Sequence, residues 1–105
     1  MTEERIEVDV VAGLKAIEGL KVDLLRAQWQ LQQGALAGSD TDMLASLAEL
    51  VGLSYLLTRR LGFDFTRLDR VLLQHLEKWR TPDMLETENR WGDLSLLLGY
   101  LAPEE

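Results

Sequence analysis

Residues 44–62, which read LASLAELVGLSYLLTRRLG, limit most strongly what this chain can fold into. Apolar side chains recur nearly all the way round a helix drawn through this segment. Such a helix needs apolar neighbours on several sides. The apolar run over 43–57 is shorter than the roughly 18 to 20 residues that span a bilayer, and Glu49 interrupts it. We therefore expect a helix in the core of a folded protein and no membrane span.

An apolar stripe upstream predicts a second long helix. Its members recur at intervals of three and four residues, which is the spacing of one helix face. They are Val10, Gly13, Ile17, Leu20, Leu24, Ala27, Leu31 and Gly34. The pattern predicts helix one over about 7–33, with a loose N-terminal segment over 1–8. The two long helices should form an antiparallel hairpin.

The segment GALAGSDTD predicts the turn of this hairpin. Gly34, Gly38 and Ser39 interrupt the apolar pattern, so helix one should end within this segment. Asp40 or Thr41 can accept hydrogen bonds from the free amides that open a helix. Helix two is therefore expected over about 42–60.

The stretch TRRLG marks the end of helix two. Arg59 and Arg60 complement the partial negative charge of a helix C-terminus. Gly62 suits the left-handed conformation that follows many helices.

Two shorter helices are predicted after this point. Asp64, or Thr66 with Asp69, can cap a third helix that ends near Lys78. Its inner face is expected to contain Leu68, Val71, Leu72, His75 and Leu76. A loop or arm should occupy 80–91, before a short last helix over 92–101 that Asp93 caps. The fold class is therefore all-α, a bundle of two long and two shorter helices.

Composition and charge exclude several classes of protein. The chain has 105 residues, 47% of them apolar and 28% charged, which suits one domain with a modest core. A net charge of -7 disfavours nucleic-acid binding, because that affinity depends on lysine and arginine. Without cysteine there is no disulfide, thiolate nucleophile or cysteine-ligated zinc site. The N-terminus lacks the features of a signal peptide, so we expect a cytoplasmic protein.

Common catalytic motifs are absent from the sequence. It contains no phosphate-binding glycine loop, paired histidine ligands or nucleophile elbow. His75, the only histidine, falls in an apolar stripe and is interpreted as a packed or hydrogen-bonded structural residue. Trp79, Trp91 and Tyr100 are expected to dock the last helix on the bundle, with stacking on a nucleobase as the alternative.

Two polar rows on the long helices remain as candidates for a site. Asp42, Ser46 and Glu49 follow i, i+4, i+7 spacing on helix two, which places them on one side. The second row, on helix one, consists of Arg26, Gln30 and Gln33. If the hairpin places the rows opposite each other, Glu49 meets the second row. Glu49 is then an exposed carboxylate near the helix start, a partner of Arg26, or a metal ligand.

The sequence LAELVGLSYLLTRRLGFDFTRLDRVLLQHLEKW, followed by ENRWGDLSLLLGYL, resembles the MazG-like relatives of the all-α nucleoside triphosphate pyrophosphohydrolases. The resemblance covers about 24–101, and LLTRRLGFDFTRLDR and WGDLSLLLGYL are its most specific parts. It implies a helical, oligomeric protein. Active members hold Mg²⁺ with carboxylates from a Glu-Glu-x-x-Glu run on one helix and a Glu-x-x-Asp run on the next. Mg²⁺ prefers such oxygen ligands and bridges them to substrate phosphates.

The resemblance places the first acidic run on Arg26, Ala27 and Gln30, and the second on Ser46 and Glu49. Glu49 alone keeps a carboxylate, and Arg26 puts a positive charge where the metal would lie. Such a set should bind Mg²⁺ poorly. We therefore expect a degenerate metal site that needs no cofactor.

These observations predict a non-catalytic, oligomeric nucleotide-binding or regulatory module. Nucleotide binding would fall to Arg26, Gln30 and Gln33, and the oligomer would be a homodimer or homotetramer that completes the bundle. One alternative is a Mg²⁺-dependent nucleoside triphosphate pyrophosphohydrolase, which would need its carboxylates to converge. Those carboxylates are Asp23, Asp42 and Glu49. The other alternative is a helical adaptor that binds a protein partner.

Overall fold

The computed structural model describes the backbone of residues 2–79 and 92–102 and the side chains of residues 9–79 and 92–102. Four helices are present in these ranges. They are α1 (Thr2–Ala37), α2 (Asp40–Arg60), α3 (Phe65–Lys78) and α4 (Asp93–Leu101). The prediction of an all-α fold with two long and two shorter helices is confirmed. The loop or arm predicted over 80–91 lies outside the described residues.

The chain forms two compact units, Met1–Phe65 and Thr66–Glu105. The first unit contains α1 and α2, which pack against each other. The single domain predicted for residues 1–105 stays a prediction. Within the described ranges, no helix combines the length and the apolar character needed to cross a membrane.

Helix α1 is longer than the sequence predicts at both ends. It begins at Thr2, so residues 2–8 of the segment that was expected to be loose have a helical backbone. Residues 2–12 contain neither glycine nor proline, which favours a helix. At the other end, α1 continues past Gln33 to Ala37.

The predicted apolar stripe of α1 faces α2. Ala27 and Gly34 are buried, and Gly13, Ile17, Leu20, Leu24 and Leu31 are partly buried, whereas Val10 is exposed. A second apolar stripe lies on the opposite side of α1, where the sequence interpretation placed none. We call it the outer stripe, and it consists of Val11, Leu14, Val22, Leu25, Trp29 and Leu36, all exposed.

Two residues, Gly38 and Ser39, connect α1 to α2. The amide of Gly38 donates to the carbonyl of Ala35 (3.2 Å), and the amide of Ser39 donates to the carbonyl of Gly34 (2.9 Å). This pair of bonds is the Schellman motif, and Gly38 has the positive φ of 68° that it requires. The Oγ atom of Ser39 then accepts a hydrogen bond from the amide of Asp42 (3.2 Å). Ser39 therefore ends one helix and caps the next.

This arrangement corrects the prediction that Asp40 or Thr41 caps helix two. Both residues lie inside the first turn of α2, which begins at Asp40. The prediction that Gly34 ends helix one is also wrong, because Gly34 stays helical. A Cβ atom at Gly34 would lie 3.2 Å from the backbone nitrogen of Met43, so glycine serves the close approach of the two helices.

The predicted end of α2 is confirmed. Gly62 has a φ of 95°, and its amide donates to the carbonyl of Arg59 (3.0 Å). The amide of Phe63 donates to the carbonyl of Thr58 (3.1 Å), which completes a second Schellman motif. The rings of Tyr55 and Phe65 meet edge to face, with 5.8 Å between their centroids.

Helix α3 has the expected bounds but a different pattern of burial. Leu76 is buried, Leu68 and Leu72 are partly buried, and Val71 and His75 are exposed. The interpretation of His75 as a packed residue is therefore wrong. Thr66 lies within the first turn and Asp64 directly precedes the helix, so Thr66 is not the residue that opens it.

Helix α4 begins at Asp93, and the residue at its N-cap position is Gly92 rather than Asp93. Leu94 is its buried residue. Trp79 and Tyr100 are exposed, which does not support the docking role expected of them. Trp91, the third member of that group, lies outside the described residues.

Candidate ligand grooves of the helical hairpin

The polar rows of α1 and α2 meet along a groove of about 500 Å³ near the turn of the hairpin. Its lining residues are Gln30, Gln33, Gly34 and Ala37 from α1 and Asp42, Ala45, Ser46 and Glu49 from α2. We call this surface the polar groove. Residues 30–37 of α1 share this groove with residues 42–49 of α2, whereas residues 16–23 share a second groove with residues 56–60, which is the order of an antiparallel pair. The predicted hairpin is thus confirmed.

Five of the six residues in the predicted rows line the polar groove, and Arg26 does not. The Nη1 atom of Arg26 lies 3.2 Å from the Oδ1 atom of Asp23, one turn earlier on α1, and both side chains are largely exposed. Glu49 forms no ion pair or side-chain hydrogen bond with any described residue. The pair of Arg26 and Glu49, which was one of the three roles considered for Glu49, is absent from the described hairpin.

The carboxylates of the groove are poorly placed to share one metal ion. Asp42 and Glu49 are seven residues apart on α2, which separates their backbones by about 10 Å along the helix axis. Mg²⁺ bonds its ligands at about 2.1 Å and needs several of them at near-octahedral positions. Asp23 lines a different groove. Among the described residues, no group of three or more acidic or histidine side chains could hold a metal ion.

Two of the positions that the resemblance assigns to carboxylates are closed into the fold. Ala27 is 0% exposed and Ser46 is 5% exposed, although the helices around them are mostly accessible. Small side chains at these positions, together with Gly34, let α1 and α2 approach closely. A glutamate at Ala27 would have to enter this contact and lose its hydration, which is costly for an unpaired charge. Ser46 also lines the polar groove, so a longer side chain there would have to displace the close contact or extend into the groove.

A second groove, of about 370 Å³, lies toward the other end of the hairpin. Its lining residues are Ala16, Gly19, Leu20 and Asp23 from α1 and Leu56, Arg59 and Arg60 from α2. We call it the cationic groove. The sequence suggested a role for Arg59 and Arg60 at the helix end, but it did not indicate that α1 supplies an apolar wall opposite them. That wall depends on the register of the hairpin.

Comparison with protein families assigns the chain. The model of the MazG-like family matches residues 10–94, which includes most of α1 and all of α2 and α3. The chain belongs to the MazG-like family. Comparisons with curated proteins and with solved structures give no match, so they add nothing to this assignment.

The two grooves differ in whether they contain positions at which the resemblance places metal ligands. The polar groove of this MazG-like chain includes the Ser46 and Glu49 positions, where the resemblance places metal-binding carboxylates. It keeps one of those carboxylates and gains hydrogen-bonding amides from Gln30 and Gln33. The cationic groove contains none of the positions at which the resemblance places metal ligands.

Proposed function

We propose that this MazG-like chain is a non-catalytic, oligomeric module that binds a nucleotide or a similar ligand without a metal ion. The burial of Ala27 and Ser46 carries the proposal. Metal-dependent hydrolysis needs carboxylates that converge on the metal, whereas these two positions hold small side chains packed between helices. The residues present in the polar groove do not fit Mg²⁺, and no catalytic step through the metal is assigned to them.

The polar groove still offers many hydrogen-bonding atoms. Gln30 and Gln33 each supply an amide donor and acceptor, and the carboxylates of Asp42 and Glu49 accept hydrogen bonds. This set suits the amino groups of a nucleobase and the hydroxyl groups of a sugar. We expect this groove to contact the base and sugar of a nucleotide rather than its phosphates, because both of its charged groups are negative and Arg26 pairs with Asp23 instead.

Two measurements test this function. Purified protein should release no pyrophosphate from a panel of nucleoside triphosphates in the presence of Mg²⁺ or Mn²⁺. Thermal unfolding in EDTA should shift upward with a nucleoside or nucleotide that binds, since a ligand that binds only the folded state stabilises it. Gln33→Ala should reduce that shift, and Gln32→Ala, an exposed neighbour outside the groove, should leave it unchanged.

Metal-dependent pyrophosphate release that Glu49→Gln abolishes would contradict the proposal. It would instead establish the family's hydrolase activity, with Asp23, Asp42 or acids of another subunit completing the site. A shift that survives Gln33→Ala unchanged would remove the polar groove from the proposal.

Exposed apolar side chains support the oligomeric part of the proposal. The outer stripe of α1 leaves Leu25 67% exposed and Trp29 61% exposed. On α2, Leu44, Leu47 and Val51 recur at intervals of three and four and are also exposed, on the side away from Ser46. Apolar surface of this extent favours association. We propose a homodimer or homotetramer in which a second copy covers the outer stripe.

Sedimentation measures this directly. The wild type should sediment as a dimer or tetramer at micromolar concentration, and Leu25→Lys should shift it toward the monomer. Lys15→Glu, also on the exposed side of α1 but not apolar, is the matched control for a surface change. A wild-type monomer would contradict the proposal.

The same exposed stripe favours a second candidate function, that of a helical adaptor. An amphipathic helix from another protein could then occupy the surface that we assign to a second copy. This candidate predicts a wild-type monomer and no thermal shift with any nucleotide, so the two measurements above separate it from the first.

A further inference from the structure

The cationic groove contains two positive charges, those of Arg59 and Arg60. Arg59 and Arg60 form no ion pair with any described residue. The one acidic residue that lines the groove, Asp23, is already bonded to Arg26. The groove and its edge therefore carry a net positive charge on a chain whose overall charge is -7.

The end of α2 does not need these arginines to satisfy its backbone. The carbonyls of Leu57, Arg59 and Thr58 accept hydrogen bonds from the amides of Leu61, Gly62 and Phe63, respectively. The guanidinium groups contribute to the helix end only through the dipole, which is worth a few tenths of a kcal/mol to about 1 kcal/mol at an exposed site. All five donors of each guanidinium are therefore available for a ligand.

The wall opposite the arginines is apolar and open. Ala16, Gly19 and Leu20 of α1 form this wall, and Leu56 adds apolar surface on the arginines' own helix. Outside the local backbone of α1, no atom lies within 4 Å of where a Cβ atom of Gly19 would be. The volume of about 370 Å³ falls within the roughly 300 to 1,000 Å³ typical of small-molecule sites. A ligand can thus place an anionic group at the arginines and an apolar group along the wall.

We infer that the cationic groove binds a small phosphate-bearing anion with an apolar or aromatic body. Arg59 and Arg60 both line the groove, and a guanidinium group forms charge-assisted, often bidentate hydrogen bonds with phosphate oxygens. Arg60 is eleven residues from Glu49, about 16 Å along α2, so this site is separate from the polar groove. The inference does not depend on the function proposed for that groove.

Inorganic phosphate and phenyl phosphate are the probes for this site. Both are titrated into the full ¹⁵N-labelled chain in EDTA at low salt, and the amide signals are followed by NMR. We expect both to move the signals of Gly19, Arg59 and Arg60, with phenyl phosphate binding severalfold more tightly. Because exposed charges attract less strongly in salt, higher ionic strength should weaken both.

Single substitutions locate the binding. Arg59→Gln and Arg60→Gln should each weaken both probes by about tenfold, as expected for loss of a charge-assisted hydrogen bond. Arg70→Gln, the same charge change on exposed α3, should leave both affinities unchanged. Leu56→Ala should weaken phenyl phosphate alone, because inorganic phosphate has no apolar body to contact this side chain.

Several outcomes would overturn the inference. One is that Arg70→Gln weakens probe binding as much as Arg59→Gln and Arg60→Gln do. Another is that the NMR signal changes are confined to residues outside the groove. A third is that inorganic phosphate and phenyl phosphate bind with equal affinity. Unchanged amide spectra of the unliganded variants establish that any loss of binding is not a loss of fold. Because neither probe contains a nucleobase, failure here leaves the function proposed for the polar groove intact.

Discussion

A Cβ atom placed on Gly34 of α1 would lie 3.2 Å from the Cβ atom of Asp42 on α2. This separation is shorter than ordinary van der Waals contact. The backbone nitrogen of Met43 lies at the same distance, and it cannot move without disturbing the first turn of α2. The hairpin therefore depends on the absence of a side chain at this position.

Gly34→Ala should destabilise the protein, since it adds a methyl group to a closed contact. We expect the free energy of unfolding to fall by about 1 kcal/mol, within the range for overpacking. Gly19→Ala is the matched control on the same helix, because its Cβ atom meets nothing within 4 Å. It should raise stability by roughly 0.5 to 1 kcal/mol through helix propensity. Chemical denaturation at one protein concentration measures both.

Ser39→Ala should remove the cap of α2. The Oγ atom of Ser39 accepts the amide of Asp42, and loss of such a cap costs about 1 kcal/mol. Ser39→Asp should retain most of the stability, because its carboxylate can accept the same amide. Thr41→Ala should change little, since Thr41 is exposed and lies inside the helix. If Thr41→Ala costs more than Ser39→Ala, the assignment of the cap is wrong.

Gly62→Ala should strain the end of α2. With a φ of 95°, an alanine there costs about 1 to 2 kcal/mol. Gly52→Ala, in the interior of the same helix and with open space at its Cβ position, should be neutral or stabilising. Thermal unfolding monitored by circular dichroism compares the two. Equal melting temperatures would show that the left-handed turn does not persist in solution.

Ser46→Glu tests whether the family's metal position can accept a carboxylate again. Because Ser46 is buried at the edge of the polar groove, the larger side chain must displace the close contact of the helices, and we expect the free energy of unfolding to fall by about 1 to 3 kcal/mol. Ala48→Glu adds the same side chain to an exposed position of α2 and should cost far less. If Ser46→Glu is as stable as the control and Mg²⁺ stabilises it further, the claim that this position is too closely packed for a metal-binding carboxylate is wrong.

The features that could be predicted from the sequence are those with local causes. The stripe of α1 that faces α2 follows from residue spacing, and the end of α2 follows from Gly62, whose conformation depends on its immediate neighbours. The polar groove was also predicted in large part, because i, i+4, i+7 spacing fixes which side chains share a helix face. Helix bounds were less accurate where the partner helix decides them.

Two errors at the site have different physical origins. Gly34 reads as a helix breaker in sequence, and only the nearby backbone of Met43 shows that it serves a close contact. The sequence offered Arg26 two possible carboxylate partners, Asp23 and Glu49. In the structure it pairs with Asp23, on its own helix. A partner three residues away is already held nearby by the helix, whereas Glu49 depends on the register of the hairpin. The contact at Gly34 cannot be inferred from one helix alone, whereas the Arg26–Asp23 pair could have been predicted from the spacing on α1.

The link of two residues between α1 and α2 has a consequence for insertions and deletions. Ser39 forms hydrogen bonds with the end of α1 and with the start of α2. The length of the link therefore cannot change without altering the end of one of the two helices. One inserted residue that was absorbed by α2 would rotate the helix by about 100° relative to α1. Ser46 and Glu49 would then leave the polar groove, and other residues would enter it. A relative whose link differs in length would therefore present a different groove from the same α2 sequence.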